Sequence, residues 1–104
     1  MGCSHIYYYI KALQMLAHAL AYDTSVKFAR ELSEEQDIEK LKEYILSRKA
    51  ELPVQNFYYA AGGAAQCTIN EAYEEGCNPL NASISGISMF EDFIGLEDLN
   101  GDKE

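Results

Sequence analysis

The chain of 104 residues contains no tryptophan, two prolines and three cysteines. Three thiols do not make a disulfide framework, so cohesion must come from packing, and reduced cysteines in a cytoplasmic protein are the simplest reading. Cys3-x-His5 with Cys67 and Cys77 offers four metal-binding side chains, but nine residues separate the last two cysteines, unlike the short clasp of structural zinc. No metal and no cofactor are therefore expected.

Basic residues are missing from Ala50 to Asp102. Residues 1–49 hold seven acids and seven bases, whereas residues 50–104 hold ten acids and one base, Lys103, so the net charge of −9 is C-terminal. A chain without a basic patch cannot neutralise phosphates, which excludes direct nucleic-acid binding and electrostatic attraction to anionic lipid. Long hydrophobic runs are missing as well. Residues 6–22 are rich in apolar groups but contain Lys11, Gln14 and His18 and are too short to span a bilayer. Lys11 inside that run, with no base before it, argues against a signal peptide. Ile6 stands where a myristoylation pattern needs Ser or Thr.

Glycine is absent between Gly2 and Gly62, and Pro53 is the one proline in that stretch. Such a segment reads as long helices. The first is predicted from a Ser4 N-cap to Tyr22, with Ile6, Ile10, Leu13, Ala17 and Leu20 on a buried stripe and Tyr8, Ala12, Met15 and Ala19 on a second beside it. Lys11, Gln14 and His18 form its polar stripe. A helix so broadly apolar is either central in a bundle or an oligomer interface. A second helix carries Val26, Phe28, Ala29 and Leu32. Ser33 with Gln36 resembles a capping box opening a third, which buries Ile38, Leu41, Tyr44 and Ile45 and stops at Pro53. Its acids lie early and Arg48 and Lys49 late, the order that complements a helix dipole.

The other half is punctuated by glycine. Residues 54–65 place Phe57, Tyr58 and Tyr59 before a run of six small residues, with either a helix or a turn at Gly62-Gly63. Thr68 and Glu71 suggest a short capped helix that Gly76 closes. Residues 78–88 read as a loop of Asn, Pro, Ser and Gly. Ser88 with Glu91 can cap one or two final turns, with Met89, Phe90 and Phe93 facing the core. Residues 90–95 and 96–101 repeat one pattern, apolar-Glu-Asp-apolar-x-Gly, and the chain is expected to fray from about Asn100.

Together these features predict an all-α fold, one compact bundle of four to six helices, three longer N-terminal ones and shorter C-terminal ones. Catalysis is not expected: His5 and His18 are the only imidazoles, and no partnered nucleophile accompanies them. The Asp98-to-Asp102 stretch lacks the glycine and closing Glu of a calcium loop. A single-sign field over half a domain speeds encounter with a basic partner, and tyrosines suit interfaces. The expected function is thus stoichiometric inhibition, of the immunity, antitoxin or phage anti-defence (anti-CRISPR) type, of a basic nucleic-acid-handling protein. Its contact set is Glu71, Glu74, Glu75, Glu91, Asp92, Glu97 and Asp98 with Tyr58, Tyr59 and Tyr73. The alternative is a homo-oligomeric structural or adaptor protein, a homodimer in its simplest form, that uses helix 1 through Tyr7, Tyr8 and Met15.

Overall fold

The computed structural model describes residues 4–22 and 24–93. Five helices follow one another in this range: α1 (His5–Ala21), α2 (Val26–Leu32), α3 (Ile38–Glu51), α4 (Val54–Glu74) and α5 (Pro79–Phe93), with no strand among the described residues. The all-α bundle read from the sequence is the fold, but the expected order of lengths does not hold: α4, with 21 residues, is the longest of the five and α2, with 7, the shortest. No described helix is long and apolar enough to cross a membrane.

α1 is the axis and packs against each of the other four helices. Ser4 caps it as expected, its Oγ accepting from the Tyr7 N–H at 3.2 Å. Its broad apolar circumference is explained by position: Leu13, Leu16, Ala17 and Leu20 enter one core cluster with Leu41, Ile45, Phe57 and Met89, while Tyr8 joins Ala72 and Ala82 in a second. Each such large side chain withdrawn from water contributes roughly 1.5–3 kcal/mol before entropy is charged against it. Of the three consecutive tyrosines, Tyr8 and Tyr9 are both buried and Tyr7 is half-buried, edge-on to Tyr8 at 4.9 Å. Two adjacent residues can both be inside because neighbours surround the helix.

In the neutral half the third helix begins later than the Ser33–Gln36 pattern implies. Ser33 is instead the C-cap of α2, its hydroxyl donating back to the Arg30 carbonyl at 2.6 Å. The N-cap of α3 is Asp37, whose Oδ1 accepts from the Glu39 and Lys40 N–H groups. Arg48 donates from Nε to the Leu20 carbonyl at 3.1 Å, satisfying the end of α1, and Phe28 meets Tyr44 edge to face at 5.4 Å.

The other half departs most from expectation. α4 runs through Gly62-Gly63 without a turn, and Thr68 does not open a helix but lies in the middle of one, buried, its hydroxyl donating to the Ala64 carbonyl at 2.8 Å. Two helical glycines cost about 2 kcal/mol relative to alanine. Burial of Phe57, Ala61, Ala64 and Ala72 on either side offsets that. Gly76 closes α4 as predicted: at φ 79° it lets its own N–H reach the Tyr73 carbonyl at 3.1 Å and the Cys77 N–H reach the Ala72 carbonyl at 2.9 Å. Residues 78–88 are not a loop but the start and body of α5. Asn78 Oδ1 accepts from the Leu80 N–H at 3.0 Å and proline occupies the first helical position, where its missing N–H is no loss. Ser88 and Glu91 accordingly lie inside this helix, not at its start. Cys77 is disulfide-bonded, against the expectation of reduced thiols, and Cys67 is free and exposed.

Candidate protein interface

α5 antiparallel to α4 makes a hairpin, with a Cβ at Gly86 coming within 3.1 Å of the Ala65 Cβ. That close crossing explains a glycine in the middle of α5. It also puts the two acidic groups at opposite ends of the hairpin: Glu71, Glu74 and Glu75 next to the turn, Glu91 and Asp92 at the far end of α5. Between Glu51 and Glu71, and again between Glu75 and Glu91, the chain has no charged residue. The carboxylates therefore do not merge into one acidic face along the hairpin.

Three of them are also engaged inside the chain. Glu71 Oε1 lies 3.0 Å from Lys11 Nζ. Glu75 accepts from the Tyr8 hydroxyl at 2.8 Å. Asp92 accepts from the Tyr9 hydroxyl and lies 3.7 Å from Lys42 Nζ. These contacts shift the proton affinities of the groups that make them. Burial and then the Glu75 carboxylate push the Tyr8 phenol up to about 12, and burial and then Asp92 push the Tyr9 phenol up as well. At Lys11 burial acts downward, but hydrogen bonding and charge from Glu71 outweigh it and the ammonium is raised. Lys42 and Lys49 reach over from α3, the latter bonding the Phe93 carbonyl at the end of α5. Lysines of α1 and α3 thus pair with two of the hairpin's carboxylates, Glu71 and Asp92, and the Tyr8 and Tyr9 hydroxyls donate to Glu75 and Asp92.

Of the other expected contact residues, Glu74 and Glu91 are exposed, Tyr59 and Tyr73 are 80% and 75% exposed, and Tyr58 is half-buried against the core. Glu97 and Asp98, the second copy of the short repeat, the Phe90 side chain and the expected frayed end lie outside the described residues. Tyr8 and Met15, assigned to self-association through helix 1, are packed within the fold, Tyr8 wholly and Met15 partly.

The surface that sequence reasoning missed is the outer side of α5. Ala82, Ser85, Met89 and Phe93 face inward and are buried, yet Leu80, Ile84 and Ile87 on the opposite side are 60%, 44% and 58% exposed. Spaced i, i+4 and i+7, they form one stripe, and the exposed Glu91 continues it four residues on. Among the described residues, no other helix packs on that second apolar side. The signal was present in the Leu80, Ile84, Ile87 spacing but was overridden by the loop-like composition around it.

A groove of about 500 Å³ separates α1 from α4, lined by Met15, His18, Tyr59, Gly63 and Cys67 among others. Its rim groups have partners within the chain: Lys11 pairs with Glu71, Gln14 donates to the Glu35 carbonyl at 2.6 Å, and His18 Nδ1 lies 2.9 Å from the Ala29 carbonyl. Those contacts hold α2, the turn that follows it and α4 to α1. No family model, no curated protein and no solved structure matches this chain.

Proposed function

We propose that the chain is a non-enzymatic protein-binding module, a stoichiometric binder and inhibitor of a basic partner, and that it docks through the outer side of α5. The observation that supports this most is the exposed Leu80, Ile84 and Ile87 stripe on a half without a single base up to Asp102. Isolated apolar residues on a surface are ordinary, whereas an aligned stripe continued by an exposed carboxylate, Glu91, has the make-up of an interface core with a charged rim. The acidic rim speeds encounter with a positively charged protein and the stripe supplies the lasting contact. This reading moves the weight from carboxylates alone to apolar contact, since Glu71, Glu75 and Asp92 already have partners in the fold.

A nucleic-acid-handling protein remains the proposed class of target, because such proteins present large basic surfaces. A disulfide at Cys77 suits an oxidising compartment better than the cytoplasmic one suggested by the odd cysteine count. The test compares immobilised wild-type chain with the Ile84→Asp/Ile87→Asp double variant in lysate, at low and high salt. A basic protein retained in equimolar amount by the wild type, released by salt and lost in the variant is expected. Equal retention by both proteins, or retention indifferent to salt, overturns the reading.

A further inference from the structure

We infer that the groove between α1 and α4 is a binding site for a small uncharged aromatic molecule that carries an N–H or O–H donor, of the indole or phenol kind. The site is separate from the outer side of α5 and does not rest on the docking reading.

The groove exists because α4 leaves side chains out. Its walls include Met15 and Ala19 of α1 and Ala60, Gly63 and Ala64 of α4, and its volume of about 500 Å³ falls within the roughly 300–1,000 Å³ range of small-molecule sites. Gly86 is accounted for by the close crossing at Ala65, but nothing lies within 4 Å of where a Cβ on Gly63 would be. A glycine there weakens the helix without serving a close contact of α4 with its neighbours. Its effect is to keep the groove open. Backbone amides and carbonyls of the helical walls bond along their own axes, so the groove offers nothing to the backbone of an extended peptide. A flat ring needs no such partners. It is received by the Met15 thioether and by Tyr59, which lines the groove and is 80% exposed.

The polarity of the ligand follows from which atoms the chain has already used. Among the described residues that line the groove, Lys11 and Glu71 are the charged ones and face each other at 3.0 Å, with the Lys11 ammonium also 5.5 Å from the Tyr7 ring. A charged ligand finds no unanswered counter-charge there, and the net charge of −9 disfavours anions further. Donors are committed as well. Gln14 Nε2 donates to the Glu35 carbonyl and the Ser33 hydroxyl to the Arg30 carbonyl, while His18 Nδ1, facing the Ala29 carbonyl at 2.9 Å, must carry the ring proton. What these residues have left are chiefly acceptors: Gln14 Oε1, Ser33 Oγ and, in the neutral imidazole, His18 Nε2. An apolar ring with a donor matches that remainder.

The test titrates indole into the full chain and follows indole fluorescence, which no tryptophan of the chain obscures. Saturable binding is expected, about five- to tenfold weaker for N-methylindole, which lacks the donor, and weaker also for indole-3-carboxylate. Gly63→Leu fills the groove and is expected to abolish binding while the thermal midpoint holds or rises, since leucine is the better helix former. Cys67, exposed on the same wall, gives a readout that needs no variant. Saturating indole is expected to slow its alkylation by iodoacetamide several-fold, read at that residue by mass spectrometry. No saturable binding, equal binding of indole and N-methylindole, an unprotected Cys67, or binding that survives Gly63→Leu overturns the inference. Loss of indole binding in the Ile84→Asp/Ile87→Asp variant overturns it too, by placing the ring on α5. Retention of the lysate protein by Gly63→Leu is expected to match the wild type, so the groove and the docking face fail separately.

Discussion

In the α1–α3 half, acids and bases neutralise one another locally: Arg48 Nη1 meets Glu51 at 2.7 Å and Lys40 meets Glu35 at 3.3 Å. The α4–α5 hairpin has no base of its own. Three of its acids, Glu71, Glu75 and Asp92, meet Lys11, Lys42, Tyr8 and Tyr9 at its two ends, Glu74 and Glu91 stay exposed, and its middle is left uncharged. Both halves expose apolar residues, but Val26 and Leu46 of the first lie on different helices, whereas Leu80, Ile84 and Ile87 line up along one. The contrast teaches that the acidic half depends on the scaffold for charge and presents apolar contact outward. The largest effect is expected where that contrast is broken directly. Ile84→Asp/Ile87→Asp should weaken partner binding by on the order of a hundredfold, close to 3 kcal/mol. Its thermal midpoint should be nearly unchanged, because both side chains already meet water. Val26→Asp and Leu46→Asp, equally exposed, should leave binding as it was.

The glycines of the hairpin come next, and they differ among themselves. Gly86 sits where a Cβ would approach the Ala65 Cβ at 3.1 Å, so Gly86→Leu is expected to destabilise by about 1–3 kcal/mol or more in a denaturant titration. Gly62 and Gly63 have open space where their Cβ atoms would lie. Gly63→Ala should therefore stabilise by about 1 kcal/mol through helix propensity alone. If both substitutions act alike, the crossing of α4 and α5 is not set by Gly86.

These glycines also mark where sequence reasoning stopped. Periodicity is a reliable guide where polar and apolar residues differ strongly, as on α1, with Ser4 as its cap and a stripe of Leu13, Ala17 and Leu20. On α5 both sides are apolar or small, so the period is faint, and Asn78, Pro79, Ser83, Ser85 and Gly86 imitate a loop. Asn78 before Pro79 was a legible start signal of the kind that places a proline at the first helical position. Capping-box spacing misled three times, at Ser33, Thr68 and Ser88, because a Ser or Thr three residues before Gln or Glu recurs by chance and only the surrounding chain decides whether a helix starts there. The segregation of charge was legible, but not its answer from Lys11, Tyr8 and Tyr9, which needs the third dimension.

The pH response should divide the same way. The Tyr8 phenol donates to Glu75 only while neutral, and its pKa is about 12 in the folded chain against about 10 unfolded. Its contribution is whole below about pH 10 and is lost as the pH rises toward 12. Phenolate absorbance should show Tyr8 ionising late, and Tyr8→Phe should flatten the alkaline loss of stability. Glu35, held below the usual carboxylate range by the Asp37 N–H and then by Lys40, acts in the other direction. Its contribution is present above the normal carboxyl range and fades in acid, so Glu35→Gln should change the acid limb and leave the alkaline one alone.

The smallest effect tests the dependence of one half on the other most directly. Lys11 and Glu71 join α1 to α4 with side chains 24% and 38% exposed, whereas Lys40 and Glu35 join neighbours within one half at 64% and 25%. Pairs this wet are worth about 0.2–1 kcal/mol. A double-mutant cycle with Lys11→Gln and Glu71→Gln should give a coupling toward the upper end of that range, and one with Lys40→Gln and Glu35→Gln toward the lower end, both falling with salt. Lys11 is the better screened from water of the two lysines, and its partner has no other base on its own helix. Equal couplings would mean that the hairpin's acids gain nothing special from the scaffold, and that solvent, not Lys11, is what Glu71 answers to.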